Sequence, residues 1–251
     1  MMELLYIKKT SILLGIMLTL YGFTSCIKTN GPTGASSLNI INAIPGSNPL
    51  VTNFQPLSSS KIQNILMWYS TALQIDYGSC KEIGSYNGMT HLSLSQIDDT
   101  LTSIYSLNLN MKVGSIYSLF LTGTDTLHVD TVLNLDHLPY FPGSDSVTGV
   151  RFANLSTGSL PVMITLQADT THTPITGSIA YKTITPFQQF SSTIEAQANG
   201  YTFEFRDVAS ENVLATFNYN IVPFVNVTVC LVGQPGTNAV TPQSVMIYNN
   251  Y

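Results

Sequence analysis

Histidine and carboxylate side chains are the groups in this sequence best suited to bind a metal or to transfer protons. The chain has four histidines in 251 residues, and one of them lies in Asp125-Thr-Leu-His128-Val-Asp130. Residues two apart on a strand point to the same face, so His128 and Asp130 could ligate a metal together. The second interpretation is that these side chains lie on the polar outer face of a strand that closes a domain. We favour it and predict no metal site.

Other patterns that support catalysis are absent from the sequence. No Gly-x-Ser-x-Gly motif, which positions a nucleophilic serine, and no His-Glu-x-x-His motif, which positions zinc, occurs. Asp98 and Asp99 could form a paired-carboxylate site or bind calcium. Because they precede a predicted strand, we instead interpret them as a solvated hairpin turn. We therefore predict no catalytic residues, no metal and no cofactor.

The aromatic pair Trp68-Tyr69 ends the segment Ile62–Tyr69, which is apolar on both faces. Such a strand is either central in a covered sheet or part of an interface. Exposed tryptophan and tyrosine rings also serve as stacking platforms for sugars. We predict that Trp68 lies in the core or between domains, and we retain Trp68 and Tyr69 as candidate ligand-binding residues.

Two cysteines, Cys80 and Cys230, follow the N-terminal region. They lie in different halves of the chain, and a disulfide requires Cα atoms within about 7 Å of each other. An exported protein could form such a bond. We predict that both thiols are free and half-buried.

The elements that position these side chains are predicted to be β-strands. Tyr201, Phe203 and Phe205 alternate with polar residues, and the same period of two recurs along most of the chain. No segment after residue 25 shows a sustained helical stripe. The pattern indicates an all-β protein built from antiparallel β-sandwiches.

Two blocks of the first half recur in the second half. Leu38–Leu50 matches Val150–Val162 at an offset of 112, and Leu107–Gly123 matches Phe217–Gly233 at an offset of 110. Two matched blocks in the same order indicate a duplicated domain. The identical pairs are Asn42/Asn154, Gly46/Gly158, Ser47/Ser159, Pro49/Pro161, Asn108/Asn218, Asn110/Asn220, Leu121/Leu231 and Gly123/Gly233.

The N-terminus has the features of an export signal. Lys8 and Lys9 precede the uncharged stretch Ser11–Phe23, which is shorter than the roughly 20 apolar residues of a membrane-spanning helix. The following Thr24-Ser25-Cys26 resembles a lipobox, which implies cleavage before Cys26 and lipidation of its thiol. An ordinary secretory signal and an uncleaved anchor helix are the alternatives. We predict attachment to a membrane through lipid on Cys26, because two or more acyl chains anchor a protein stably.

Turn-forming residues divide the rest of the chain. Asp136–Thr148 contains Pro139, Pro142 and Gly143, which interrupt strands, and Ile27–Ser37 has the composition of a flexible tether. The predicted segments are residues 1–25, a signal peptide; 26–37, a lipidated tether; 38–136, a first β-sandwich domain; 137–148, a linker; and 149–251, a second β-sandwich domain.

The second half resembles a known family, the domain of unknown function 4397. The resemblance rests on Val150-Arg-Phe-Ala-Asn154, on Tyr201-Thr-Phe-Glu-Phe-Arg206, on Val213-Leu-Ala-Thr216 and on Val227–Gly233. It implies tandem immunoglobulin-like β-sandwiches in a secreted or lipid-anchored bacterial protein, and it implies no catalytic residues. The first half departs from the family in having Asn39 where the second half has a basic residue.

Composition limits the function further. The formal net charge is −5 and only 9% of residues are charged, with no basic cluster, so we predict no nucleic-acid partner. The expected function is that of a non-enzymatic, lipid-anchored cell-envelope protein that binds another envelope protein or a surface polymer. The alternative is a carbohydrate-binding accessory lipoprotein of a glycan-uptake system.

The expected location is the bacterial outer membrane. The chain resembles lipoproteins of the Bacteroidota, in which an acidic cluster after the lipidated cysteine often marks export to the cell surface. Here Ile27-Lys28-Thr29-Asn30 contains no acid. This favours the periplasmic face of the membrane over the cell surface.

Overall fold

A computed structural model of the protein describes residues 34–56, 74–236 and 238–250. Nearly all of its regular elements are β-strands, so the predicted all-β class is confirmed. Cys26, Trp68 and Tyr69 lie outside the described residues. Within the described ranges, no helix has the length and apolar character needed to cross a membrane.

The first half forms two sheets from seven described strands. β1 lies between β3 and β6 in a four-stranded sheet of order β3-β1-β6-β7, and a three-stranded sheet has the order β2-β4-β5. The first strand begins at Ala35, three residues before the predicted start of the domain. The strands are β1 (Ala35–Asn42), β2 (Leu50–Pro56), β3 (Ser79–Tyr86), β4 (Gly88–Gln96), β5 (Asp99–Met111), β6 (Ile116–Asp125) and β7 (His128–Asp136).

The second half repeats this arrangement. One sheet has the order β10-β8-β14-β15, with β11 also paired to β8, and the other has the order β13-β12-β9. The short helix α1 begins after Thr193, whose side chain accepts a hydrogen bond from the Ala196 N–H. The elements are β8 (Val147–Asn154), β9 (Val162–Leu166), β10 (Thr183–Ile184), β11 (Gln188–Ser191), α1 (Ile194–Asn199), β12 (Tyr201–Asp207), β13 (Val213–Tyr219), β14 (Asn226–Val232) and β15 (Ser244–Asn249).

The two sheets of each half pack through their own apolar cluster. In the first half, Leu38 and Leu119 of the four-stranded sheet share a cluster with Leu92 and Leu94 of the three-stranded sheet. The second half has an equivalent cluster that includes Phe152. Each half is therefore sandwich-like, because side chains of both sheets bury one common core.

A third apolar cluster joins the halves. It contains Ile41 and Phe120 from the first half, together with Ala153, Cys230 and Tyr248 from the second. β1, β6, β8 and β14 are consequently buried on both faces over most of their lengths. The two larger sheets face each other, and the smaller sheets form the outer layers.

A polar network lies within this interface. Arg151 Nη1 donates to Asp136 Oδ1 over 2.7 Å, and both side chains are almost completely buried. Ser118 donates to the other carboxylate oxygen over 2.6 Å, and Arg151 also donates to Thr228 and to the Tyr248 hydroxyl. Burial opposes the charge of Arg151, but the facing Tyr248 and Asp136 outweigh it and raise the pKa of Arg151 above its ordinary value.

The repeated asparagine has the same role in both halves. Asn154 Nδ2 donates to Ser159 Oγ over 2.9 Å and to the carbonyl of Ile179 over 3.2 Å, while its Oδ1 accepts the same serine hydroxyl. Asn42 makes the matching bonds in the first half. The matched asparagine and serine therefore fix the loop that follows the first strand of each half.

The matched glycines Gly123 and Gly233 are required by backbone geometry. Their φ angles are +125° and +86°, and a Cβ on Gly123 would run into the carbonyl oxygen of His128. Only glycine adopts such a conformation without strain and without this clash. The residues repeated in the sequence therefore lie where a side chain fixes a loop or where neighbouring backbone leaves no room for a Cβ.

The strand order of each half differs from that of a constant-type immunoglobulin domain. In a constant-type immunoglobulin domain the first strand shares a sheet with the second, fifth and fourth strands. Here β1 shares a sheet with β3, β6 and β7, and it runs parallel to β6. β8 and β14 form the same parallel pair in the second half.

Candidate functional site

The segment that could have held a metal does not bring its side chains together. His128 Nδ1 contacts Asp125 Oδ1 at 3.0 Å in an exposed pair. Asp130 instead accepts hydrogen bonds from Lys182 and Tyr181, which hold its pKa below the ordinary value. Among the described residues, no group of three or more His, Cys, Asp or Glu side chains could hold a metal ion.

Asp98 lies in the turn between β4 and β5, and Asp99 is the first residue of β5. The Asp98 carboxylate accepts a hydrogen bond from Asn48 Nδ2 over 2.6 Å. Hydrogen bonds from the side chain and backbone of Thr102, and from the backbone of Leu101, hold the pKa of Asp99 below its ordinary value. These contacts are typical of a surface turn.

The remaining histidines have separate surroundings. His91 Nδ1 contacts Asn108 Oδ1 at 2.8 Å on the first half, and His172 Nδ1 contacts Arg206 at 3.3 Å on the second half. His137 is exposed. The structure therefore places these three side chains at three different positions.

The two described thiols lie at the interface between the halves. Cys230 belongs to the third apolar cluster, Cys80 packs against it, and both are free. Burial, followed by the nearby carboxylates Glu82 and Asp136, raises the pKa of Cys80 to about 12. Burial likewise raises the pKa of Cys230. Both thiols are therefore protonated at neutral pH and poorly nucleophilic.

A groove on the outer face of the β2-β4-β5 sheet is the strongest candidate site. In the register of β2 with β4, Val51 lies opposite Ser95 and Asn53 lies opposite Ser93. These side chains point away from the buried leucines of β4, because alternate residues of a strand face opposite sides. The groove is lined by Val51, Thr52, Asn53, Ser93, Ser95, Thr100, Leu101 and Ser103.

An irregularity between β4 and β5 forms one wall of the groove. The register shifts beside Ser95, which pairs with Ser103. Asp99 Oδ1 accepts hydrogen bonds from the backbone N–H groups of Leu101 and Thr102, each over 3.2 Å. This turn fixes the backbone beside the groove and leaves the side chain of Leu101 95% exposed at the rim.

A comparison with the equivalent strand of the second half, β12, explains why the groove is open. The registers of β2 with β4 and of β9 with β12 align Ser93 with Glu204 and Ser95 with Arg206. In the second half, Arg206 donates to Glu204 over 2.7 Å, and Thr165 donates to the same carboxylate over 3.3 Å. The first half has two small serines where the second has a long ion pair, so side-chain volume is missing there.

The lining defines the chemistry that the groove can recognise. It offers hydroxyl and amide groups together with the aliphatic side chains of Val51 and Leu101, and none of the described lining residues is charged. Thr52 is 2% exposed, and its hydroxyl has no hydrogen-bond partner within the described part of the chain. Thr52 lies opposite the buried Leu94 in the register of β2 with β4, so its side chain points to the core side of the sheet and its hydroxyl is not part of the groove surface.

The groove is small. It encloses about 140 Å³, whereas pockets for complete drug-sized ligands enclose roughly 300–1,000 Å³. It therefore suits one unit of a larger molecule better than a whole small-molecule substrate.

Two wider cavities have similarly neutral linings. One, of about 590 Å³, is lined by Thr124, Thr157, Gly158, Gln234, Pro235, Gly236, Asn238 and Ala239. The other, of about 420 Å³, is lined by Leu166, Gln167, Ala168, Asn199, Gly200, Tyr201 and Thr202. No histidine, cysteine, acidic or basic residue occurs among the described residues that line these two cavities and the groove.

Comparison with known proteins gives no family. No model of a known protein family matches the chain, and no curated protein matches it. The site is therefore interpreted from its own geometry.

The groove is a site that the sequence pattern alone did not indicate. Serine, threonine and asparagine are ordinary residues on the outer face of an exported β-sheet. The available signal was the repeat itself, in which Ser93 and Ser95 correspond to Glu204 and Arg206. Neither matched sequence block includes β4, so this correspondence becomes visible only through strand register.

Proposed function

We propose that the protein is a non-enzymatic, lipid-anchored protein of the bacterial cell envelope that binds another envelope component or a surface polymer. Its anchor is the lipid on Cys26, and the periplasmic face of the outer membrane is its proposed location. Its folded part is a tandem pair of sandwiches that are immunoglobulin-like in architecture, as the resemblance to the 4397 family implies.

The observation that carries this proposal is the groove lined by Ser93, Ser95 and Asn53. It is a concave surface of neutral hydrogen-bonding groups on an outer layer of the molecule. None of the described residues of its lining ordinarily acts as a general acid, general base or metal ligand. Such a surface favours reversible binding over bond cleavage.

Site-specific photocrosslinking in intact cells tests the binding proposal. Benzoylphenylalanine at Leu101, on the groove rim, is expected to give an adduct with an envelope component. The same probe at Ile194, which is 88% exposed on the second half, serves as the control. An adduct from position 101 that is absent from position 194 supports the proposal. No adduct at 101, or identical adducts at both positions, contradicts it.

Metabolic labelling tests the anchor separately. The wild-type chain is expected to incorporate labelled palmitate, and Cys26→Ala is expected to abolish labelling and membrane attachment. A wild-type chain that takes up no label contradicts the lipid anchor.

A further inference from the structure

We propose that the groove binds one sugar unit of an uncharged envelope polysaccharide. This inference rests on the proposed function and names the chemical class of the bound component. It draws on the lining of the groove, on its charge and size, and on the contrast with the second half.

The hydrogen-bonding groups of the groove match those of a sugar ring. Ser93, Ser95 and Thr100 supply hydroxyls that both donate and accept. The Ser103 hydroxyl bonds within the sheet, where it donates to the carbonyl oxygens of Leu94 and Tyr105. A sugar ring presents several hydroxyls of the same dual kind at short spacing, so each side can satisfy the other.

The aliphatic residues complete the match. Val51 lines the groove and Leu101 stands at its rim. A sugar ring has faces made of C–H groups, and these can pack against aliphatic side chains while the ring hydroxyls bond to the serines. A strongly hydrated ion offers no comparable apolar face.

Charge selects against an anionic polymer. Among the described residues that line the groove there is no lysine or arginine, and the carboxylates of Asp98 and Asp99 lie at the adjoining turn and at the start of β5. Hydrogen bonds that lower the pKa of Asp99 keep it ionised at neutral pH. A sulfated, phosphorylated or uronic-acid chain would meet these carboxylates and the chain's formal net charge of −5 with no opposing cation among the described lining residues.

The position of the groove selects against an added peptide strand. Peptides that extend a sheet bind the main-chain groups of an edge strand. The groove instead lies over side chains on the face of three paired strands. Its volume of about 140 Å³ suits a single ring from a chain that continues into solvent at both ends.

The chemistry of the adduct formed at Leu101 tests this inference in the full-length lipidated protein. The adduct is purified from intact cells, digested with protease and hydrolysed to its constituents. The expected result is a protease-resistant remnant with only uncharged sugars. An adduct made of protein, or of a polymer with acidic groups, overturns the inference and leaves the proposed function standing. The absence of any adduct overturns both.

A second measurement tests whether the serine hydroxyls of the groove bind the sugar or only lie near it. An uncharged polysaccharide with the sugar composition found in the adduct is isolated from the same cells and titrated against the purified lipidated protein. Ser93→Ala with Ser95→Ala is expected to weaken binding by about tenfold, since two hydrogen bonds are lost. Asn110→Ala, on an exposed position of the same sheet outside the groove, is expected to leave affinity unchanged. Equal affinity of the wild type and the double variant overturns the inference.

Discussion

Arg151 and Asp136 form a buried ion pair that joins the two halves of the molecule, with 2.7 Å between Nη1 and Oδ1. By strand register and repeat, Asn39 occupies the position of Arg151 in the first half, and Asn250 occupies that of Asp136 in the second. Asn39 and Asn250 are buried, and the Nδ2 atom of each lacks a partner among the described residues. One side of the duplicated interface therefore has an ion pair where the other has two asparagines.

The first prediction concerns this pair. Asp136→Asn and Arg151→Asn are each expected to lower the free energy of unfolding by about 3–5 kcal/mol, because each leaves a buried charge without its partner. The double variant copies the Asn39/Asn250 arrangement and is expected to lose at least about 1 kcal/mol less than the sum of the single losses. Urea denaturation measures all three. Strictly additive losses would show that the two side chains act independently.

The second prediction concerns the loop-fixing asparagines. Asn154→Ala leaves the serine and backbone groups that it bonds without their partner, and we expect a loss of about 1–3 kcal/mol. Asn42→Ala is expected to cost a similar amount, since its bonds match. Asn48→Ala, which removes an exposed bond to Asp98, is the control and should cost less than about 0.5 kcal/mol. A larger loss for Asn48 than for Asn154 refutes the assigned roles.

The third prediction concerns alkaline pH. Burial raises the pKa values of Cys80 and Tyr248 to about 12 and also raises that of Cys230. The folded chain therefore keeps protons that the unfolded chain releases, so stability is complete below pH 9.0 and falls as pH rises above it. Each thiol should contribute a slope of about 1.4 kcal/mol per pH unit.

Denaturation between pH 8 and 11 checks this slope. Cys80→Ser combined with Cys230→Ala removes two of the groups and should flatten the dependence. An unchanged slope in this double variant would assign the alkaline loss to other residues.

The fourth prediction concerns the connection between the halves. Residues 137–146 contain no regular element, and Tyr140 is 87% exposed while the adjacent Phe141 is buried. Chymotrypsin is expected to cut after Tyr140, because its specificity pocket accepts aromatic side chains, and Tyr140→Ser should slow that cut. The two fragments should still elute together in native gel filtration and separate only in denaturant, because the third apolar cluster joins them. Separation without denaturant contradicts a stable interface.

Much of the fold could be predicted because strands have a strict period of two. The alternation around Phe203 and Phe205 predicted β12, and the matched Asn42 and Asn154 predicted the duplication. The packing of the halves was not predicted, although consecutive buried residues such as Leu119 and Phe120 indicate strands covered on both faces. The division into domains at residues 137–148 is a prediction that the structure does not test.

The candidate site was harder to predict. Trp68 and Tyr69 were chosen by residue type, and they lie outside the described residues. The groove depends on the small volume of Ser93 and Ser95 relative to the residues at equivalent positions. That comparison needs the register of β4 and β12 with their neighbouring strands. Neither β4 nor β12 is part of a matched sequence block, so the local sequence pattern does not supply this register.

The most direct test of binding at the groove is to fill it. Ser93→Glu with Ser95→Arg installs the second half's ion pair at equivalent positions of the same sheet. The yield of the adduct from benzoylphenylalanine at position 101 is then compared between this filled variant and the protein with its original serines. Asn110→Glu serves as the control. The adduct is expected to fall by about tenfold or more in the filled variant and to be unchanged in the control. An equal yield of the same adduct from the filled groove would contradict binding at the groove.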